Sequence, residues 1–429
     1  MVKDVQIKVR HLTRVEGHGD IIAEIKDGSL VDVRFAVVEA PRLFEAFLVG
    51  RTFDEVVHCA PRICGICSVS HKCAALKATE TALGVEVSEQ TVLLRRLAFH
   101  GEVISSHILH IYFLAAPDFF GVSSVFPLVE SAPDVVRRAM RMKRLAYDLC
   151  DVTLGRHTHP VAMTIGGFSF VHSEKRLAAI RDRLVDGLED IKVTAKLFKT
   201  VDYPKFERET EYVSLRSPMR YAFYDGDLFS SDGECVPASR YREHIHEQVV
   251  PYSTAKHAAW HRPQYMVGAL ARVNNNYDQL SSLALEVAHD LGITVPCFNP
   301  FANTLAQIVE CAHCLEDSIH IIDMLLERRI RAEEEQAAVS PRKGSGVGAV
   351  EAPRGTLFHE YEYGANGKCL TANLVIPTAQ NLSNLEADMR AYVPAIIEQS
   401  KESITHQLEM LARAYDPCIS CSTHIILAR

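Results

Sequence analysis

Two short stretches at opposite ends of the 429-residue chain carry the same chemistry. Near the start runs Arg62-Ile63-Cys64-Gly65-Ile66-Cys67-Ser68-Val69-Ser70-His71, and near the end Asp416-Pro417-Cys418-Ile419-Ser420-Cys421-Ser422-Thr423-His424. Each is a C-x-x-C followed by a histidine. Two thiolates three residues apart can bind one metal, and on a helix the spacing i, i+3, i+7 would put Cys64, Cys67 and His71 on one face. If the two pairs meet, four thiolates serve one site. A structural zinc site usually encloses about 15–20 residues between its cysteine pairs. Here most of the chain intervenes, so the fold must assemble the site.

The elements that would do this are legible from periodicity. Val5 to Val9 and Ile21 to Ile25 alternate as strands, Asp27-Gly28-Ser29 reads as a hairpin turn, and Leu30 to Val38 reads as a third strand. From Cys64 the pattern turns helical, with apolar residues at helical spacing over 93–115, 132–154, 173–199, 276–291 and 304–331. Residues 340–348 read as a Gly/Ser/Pro loop, strands are predicted over 355–363 and 372–376 around an Asn366-Gly367 turn, and one helix over 382–415 delivers the second pair. The expected class is α+β and mainly helical: a central bundle of long helices with β layers at the N-terminus and around 355–376. The expected organisation is one interwoven domain over 1–424, with a β-rich layer at 1–60, a helical core at 61–340 and a loop–strand–helix segment at 341–424. Gly344-Ser345-Gly346-Val347-Gly348-Ala349 imitates a dinucleotide fingerprint, but a charged helix precedes it and Pro353 and a strand follow. That is the wrong setting for a pyrophosphate.

Composition narrows the class. The chain is 48% hydrophobic, enough for a large core, and its formal net charge of −8 with no Lys/Arg block argues against nucleic acid. The longest apolar stretch, 108–122, is broken by His110, Pro117 and Asp118, so no membrane insertion is expected. Twelve cysteines behind a polar, alternating N-terminus point to a reducing cytoplasm.

Further motifs then identify a family. Thr13-Arg14-Val15-Glu16-Gly17-His18 comes first, then Arg62 to His71. Gly155-Arg156-His157-Thr158-His159-Pro160 with Gly166-Gly167 follows, then Ala352-Pro353-Arg354-Gly355 and Val375-Ile376-Pro377-Thr378, and D-P-C-x-x-C-x-x-H closes the series. Over nearly its full length the chain resembles the large, catalytic subunit of nickel–iron hydrogenases. That resemblance implies reversible heterolytic cleavage of dihydrogen. It implies nickel held by Cys64, Cys67, Cys418 and Cys421, with Cys67 and Cys421 bridging to an iron that carries one carbon monoxide and two cyanides. Arg354 would sit over the metals, Asp416 would orient it, and Thr378, beside Pro377, would donate to a cyanide. His71 would donate to a bridging sulfur, and Glu16 would take a proton from Cys418 and pass it outward. Glu45 and His424 would hold a separate magnesium or iron ion. A tail, 425–429, would be removed by a maturation protease after nickel chaperones have loaded the site.

The chain departs from membrane-bound members at Ser106, where they carry an aspartate, and at Ile66 between the first cysteines. The I-P-T-A-Q-N variant is similar to the cytoplasmic, bidirectional group linked to NAD(P), or sulfhydrogenases. The resemblance therefore implies a heteromultimer with an obligate iron–sulfur small subunit, and diaphorase or flavin/iron–sulfur subunits beyond it. A deazaflavin-linked hydrogenase and the quinone-site relative in respiratory complex I are the rival readings, but the latter lacks the four cysteines. Cys311-Ala312-His313-Cys314 is read as buried thiols in an amphipathic helix. His100, His107 and His110 are read as core histidines sharing one helix face.

Overall fold

Alternating apolar residues build the first layer. In the computed structural model, which describes residues 4–332 and 339–423, β1 (Asp4–Val9), β2 (Gly19–Lys26) and β3 (Ser29–Val37) form an antiparallel meander. Asp27 and Gly28 turn its hairpin with φ of 48° and 72°, the left-handed pair that suits the right-handed strand twist.

Helices follow: α1 (Ser68–Leu83), α2 (Glu89–Ile108), α3 (Pro133–Leu154) and α4 (Glu174–Lys199). Ser88 and Ser173 cap α2 and α4 by accepting from the backbone N–H three residues on. Gly84 and Gly155 end α1 and α3 in the left-handed conformation that glycine adopts without a Cβ clash. The helical period over 93–115 continues past α2 as a wider π-type turn, Leu109–Ala115.

The region read as helical is not helical throughout. Within 61–340 lies a mixed sheet of β4 (Glu211–Arg216), β5 (Asp227–Ser230), β6 (Cys235–Val236) and β7 (Tyr265–Met266), in the order β7-β4-β5-β6 with β7 parallel to β4. β5 to β7 are two to four residues long, and β4 is buried along nearly its whole length, so none shows an alternating period. The helix expected over 276–291 is shorter, α6 (Ser282–Asp290), with a separate helix, α5 (Ala269–Asn276), ending where it was expected to begin. The long α7 (Asn303–Arg328) completes the bundle, packing on α2 and α4.

The segment read as a loop over 340–348 is the largest correction. From Gly344 it is strand, β8 (Gly344–Ala352), paired in antiparallel register with β9 (Gly355–Tyr363), which pairs with β10 (Cys369–Val375). A Cβ on Gly344, Gly346 or Gly348 would lie 2.1, 2.2 or 2.0 Å from the carbonyl oxygen of Ala82, Ala78 or Ala74. Two residues of strand advance about 6.6 Å and four residues of helix about 6 Å, so the glycines meet successive turns of α1 in step. The glycines thus serve a close approach of backbone to backbone, not loop freedom.

The helix expected over 382–415 is two: α8 (Pro377–Ile396) and α9 (Lys401–Ala414). Pro394 sits in the last turn of α8, and the Ser400 side chain caps α9 by accepting from Ser403 N at 3.2 Å. A contiguous hydrophobic core runs from Ile7 to Cys421, and a smaller one, including Val213, Leu228 and Phe358, lies under the mixed sheet. Among the described residues no helix is long and apolar enough to cross a membrane.

The seam between α1 and β8 carries a test. Gly348→Ala forces the strand off the helix and should lower unfolding stability by about 1–3 kcal/mol, as overpacking does. An unchanged denaturant midpoint would show that the close approach is dispensable.

Candidate metal centre

The first cysteine pair does not lie on a helix face. Cys64 is extended, with φ −147° and ψ 139°, after the turn Ala60–Ile63, and Cys67 is the N-cap residue of α1. Only His71, whose N–H reaches the Cys67 carbonyl at 3.2 Å, belongs to the helix. The turn aims backbone N–H groups at sulfur: Ile66 and Cys67 donate to Cys64 Sγ at 3.3 and 3.4 Å.

The second pair follows α9 through Asp416, which adopts φ 48°. Cys418 N–H donates to Thr378 Oγ1 at 2.9 Å, in the first turn of α8 beside Pro377. Glu16 holds the next residues. Its carbonyl accepts from Ile419 N–H at 2.9 Å, its carboxylate accepts from Ser420 N–H at 3.0 Å, and the Ser420 hydroxyl donates to it as well. The chain start is therefore tied to the turn that carries Cys418.

These turns bring all four sulfurs together. Cys64 Sγ lies 3.5 Å from Cys418 Sγ, Cys67 Sγ 3.6 Å from Cys421 Sγ, and Cys418 and Cys421 are 2.7 Å apart. All four are buried, and their sulfurs lie within 4.8 Å of one another. Metal–sulfur bonds of about 2.3 Å place ligands on one ion at most about 4.6 Å apart, so the donor set fits a soft metal. The thiols titrate unevenly. Contacts from Cys418, Cys421 and Cys67 hold Cys64 well below its ordinary range, whereas Cys418 and Cys421 are pushed up. A bound cation would displace their protons.

Near the sulfurs lies a buried cation that feels their charge. Pro353 and Arg354 form the two-residue tip between β8 and β9, and the guanidinium is enclosed. Nε donates to Asp416 O at 2.7 Å, Nη2 to Asp416 Oδ1 at 2.7 Å, and Nη1 to Ser106 Oγ at 3.0 Å. Gln307 Nε2 donates to the other Asp416 oxygen at 3.0 Å. Burial works against the charge, but Asp416 and the nearby thiols outweigh it and hold Arg354 above its ordinary range. Three of its five N–H groups are used, which leaves two for a ligand.

His71 is buried, and burial lowers its imidazole to about 4, so it is neutral. Its Nδ1 lies 3.0 Å from His359 Nε2, and His359 Nδ1 lies 2.5 Å from the Tyr361 hydroxyl. Glu16 is half-buried and engages Ser420, whereas Arg14 pairs with Asp118 and His18 with Glu39. Glu45, on the short helix Phe44–Leu48, lies apart from the sulfurs and accepts from Leu374 N–H of β10 at 2.8 Å. The neighbouring Arg42 N–H donates to Thr423 O at 2.7 Å. His424 and the tail 425–429 lie outside the described residues.

Several partners of the site were not foreseen. Arg272 of α5 donates to the carbonyls of Ala352 and Pro353, both at 2.9 Å, and so steadies the tip that bears Arg354. It forms a bidentate pair with Glu310 and a third contact to Glu351. Glu102 of α2 binds the start of α1. The available signal was a lone charge in an apolar helical run. Cys311 and Cys314 are buried thiols on α7 that burial pushes up, and among the described residues only the four-cysteine group gathers metal-ligand side chains. His100, His107 and His110 hydrogen-bond Ser318, Glu310 and Gln307 in the core.

The nickel-dependent hydrogenase family matches residues 42–137 and 199–424. The α subunits of sulfhydrogenases 1 and 2 of Pyrococcus furiosus are 34% and 33% identical to this chain. Each alignment covers 98% of the chain, with 98% of the first relative and 99% of the second. A crystal structure of an NAD+-reducing [NiFe]-hydrogenase in the H2-reduced state superposes with a TM-score of 0.88 at 28% identity, over 98% of this chain and 99% of that one. The [NiFeSe]-hydrogenase of Dm. baculatum shares the fold, with a TM-score of 0.77 at 21% identity, covering 98% of this chain and all of the other. The chain belongs to the nickel-dependent hydrogenase family and has the large-subunit fold.

Arg354→Lys tests the fork near the sulfurs. An ammonium cannot reproduce three planar donor contacts, so hydrogen uptake per nickel should fall by about 10²-fold or more, the scale for losing one preorganised donor. An unchanged rate at full nickel content would remove Arg354 from the reaction.

Proposed function

We propose that this chain binds a nickel–iron centre between its two cysteine pairs and interconverts dihydrogen with protons and electrons. The observation that carries this reading is the meeting of four buried sulfurs, from opposite ends of the chain, close enough to a buried arginine to affect its charge. Cys64, Cys67, Cys418 and Cys421 would hold the nickel, and Cys67 and Cys421 would also serve an iron carrying carbon monoxide and two cyanides. When bound, such a centre supplies the Lewis acidity that polarises dihydrogen for heterolytic cleavage.

The chain's own residues supply the rest. Four thiolates and two cyanides against two divalent metals leave a net charge of about −2, which is costly in a dry interior unless donors surround it. Arg354 offsets part of it and offers its two spare N–H groups to one cyanide or to the substrate. The Thr378 hydroxyl, which accepts from Cys418 N–H, keeps its own proton for the other cyanide. His71, neutral and anchored on His359, donates from its remaining nitrogen to a bridging sulfur. Glu16, held beside Cys418 by Ser420, takes a proton from that sulfur and passes it outward.

Glu45 and His424 would hold a separate magnesium or iron ion. This is supported by the contact of Arg42 with Thr423, which brings the residue before His424 alongside the segment leading to Glu45. The likeness to α subunits of multi-subunit sulfhydrogenases favours assembly with an iron–sulfur small subunit that takes the electrons. The likeness to an NAD+-reducing enzyme favours NAD(P) as acceptor, reached through diaphorase-type subunits.

Infrared spectra of the native complex should show carbon monoxide and cyanide stretches, and their absence from a nickel-loaded preparation would sink the proposal. Glu16→Gln should keep those bands yet slow deuterium–water exchange by about 10²–10⁴-fold, the usual loss when a general acid–base group is removed. Exchange at the wild-type rate would take Glu16 off the proton path.

A further inference from the structure

Every helix begins with backbone N–H groups that have no partner inside the helix. In α1 this matters more than usual, because the residue at its N-cap is Cys67, one of the four gathered sulfurs. The local residues cannot supply the cap. The Cys67 side chain makes no capping hydrogen bond, and its sulfur faces Cys421. The hydroxyl of Ser68 is occupied as well, accepting from His159 N–H at 3.0 Å. No acidic residue lies in the first turn.

The cap arrives from the neighbouring helix. Glu102 of α2 is 3% exposed, and its two oxygens accept from Val69 N–H at 2.5 Å and Ser70 N–H at 2.9 Å. These are the second and third residues of α1, the positions an ordinary N-cap side chain serves. The Ser70 hydroxyl donates to the same carboxylate. Among the described residues no lysine or arginine pairs with Glu102, so its partners are the helix N–H groups and the positive end of the helix dipole. Burial raises its carboxyl, and the Ser70 hydroxyl and the Val69 and Ser70 N–H groups lower it, so its charged form depends on these contacts. A buried acid without a cation partner is costly to keep.

We infer that Glu102 is a positioning residue for the cysteine centre: by capping α1 from outside it fixes the Cys64–Cys67 turn and frees the Cys67 sulfur for the metal. The inference rests on the reading of the four cysteines as metal ligands. Glutamine at this position keeps the volume but replaces one acceptor with an NH2 group, which faces an N–H donor. One first-turn N–H is then orphaned, and the turn that carries both cysteines loosens.

The experiment uses the native complex and the metal-free chain in parallel, with Glu102→Gln and the carboxylate-retaining Glu102→Asp. In the metal-free chain, amide hydrogen exchange over 64–76 should quicken roughly tenfold or more in Glu102→Gln, the scale of one lost buried hydrogen bond, and less in Glu102→Asp. In the loaded complex, Glu102→Gln should shift the carbon monoxide and cyanide stretches and lower turnover at unchanged nickel content, with Glu102→Asp lying between it and wild type. Wild-type bands and exchange rates in Glu102→Gln would overturn the inference and leave the metal assignment standing. Where Glu102→Gln fails to load metal, equal failure of Glu102→Asp overturns the inference, and restored loading with near-wild-type bands supports it. A wild-type complex without the bands removes the metal reading itself, and the exchange data then decide the capping role alone.

Discussion

The ion pair between Arg354 and Asp416 is the interaction on which the rest of the site depends. A guanidinium enclosed by protein is tolerable only with a matched acceptor, and breaking such a pair typically costs about 3–5 kcal/mol. Asp416 meets it with both its carboxylate and its backbone carbonyl. Because Asp416 lies two residues before Cys418 and Arg354 is the tip of the β8–β9 hairpin, this pair draws the end of the chain onto the sheet. The sheet is itself fastened to α1 through Gly344, Gly346 and Gly348, and α1 begins at Cys67. Both cysteine pairs are thus located by one charge interaction and one steric seam.

Behind the tip, charge is arranged by competition for a single cation. Arg272 reaches both Glu310 and Glu351. Burial raises Glu310, but Arg272 and His107 outweigh it and bring it down to about 2, whereas burial pushes Glu351 up to about 7 despite Arg272. The signs are opposite. Glu310 stabilises the fold above the ordinary carboxylate range, and that contribution is lost as pH falls towards 2. Glu351 is best buried with its proton, and its contribution is lost as pH rises through about 7. The hairpin that carries Arg354 is therefore backed by one fixed anion and one group able to change charge near neutrality.

Residue type and spacing made the two cysteine pairs legible as one soft-metal site, whereas the arginine of P-R-G and the aspartate before the second pair were legible through the family resemblance. The long helices were legible too, because α3, α4 and α7 carry an unbroken apolar period. What failed had physical causes. The glycines of β8 look like loop residues because glycine also serves where two backbones nearly touch, and the partner carbonyls of α1 lie far away in sequence. The strands β5 to β7 are too short to establish alternation, and β4 is buried on both faces and so lacks it. The Cys64–Cys67 spacing suits a helix face and a metal-binding turn equally, and only the extended backbone at Cys64 separates them. Glu102 and Arg272 could be noticed as charges in apolar surroundings, but their partners are set by tertiary packing alone.

The surroundings of the sulfurs are asymmetric, and the asymmetry bears on how protons would leave. On one side stand Arg354, Ser106, Asp416 and Gln307, all buried and mutually hydrogen-bonded. An arginine does not give up its proton under ordinary conditions, so this side offers fixed donors but no relay. On the other side the Cys418 turn rests on Glu16, a half-buried carboxylate, and the next residues along the chain, Gly17 and His18, lead to an exposed pair with Glu39. The dry side suits charge stabilisation and the half-open side suits proton traffic. A single cluster of cysteines can serve both tasks only because the chain's two ends bring it these different neighbours.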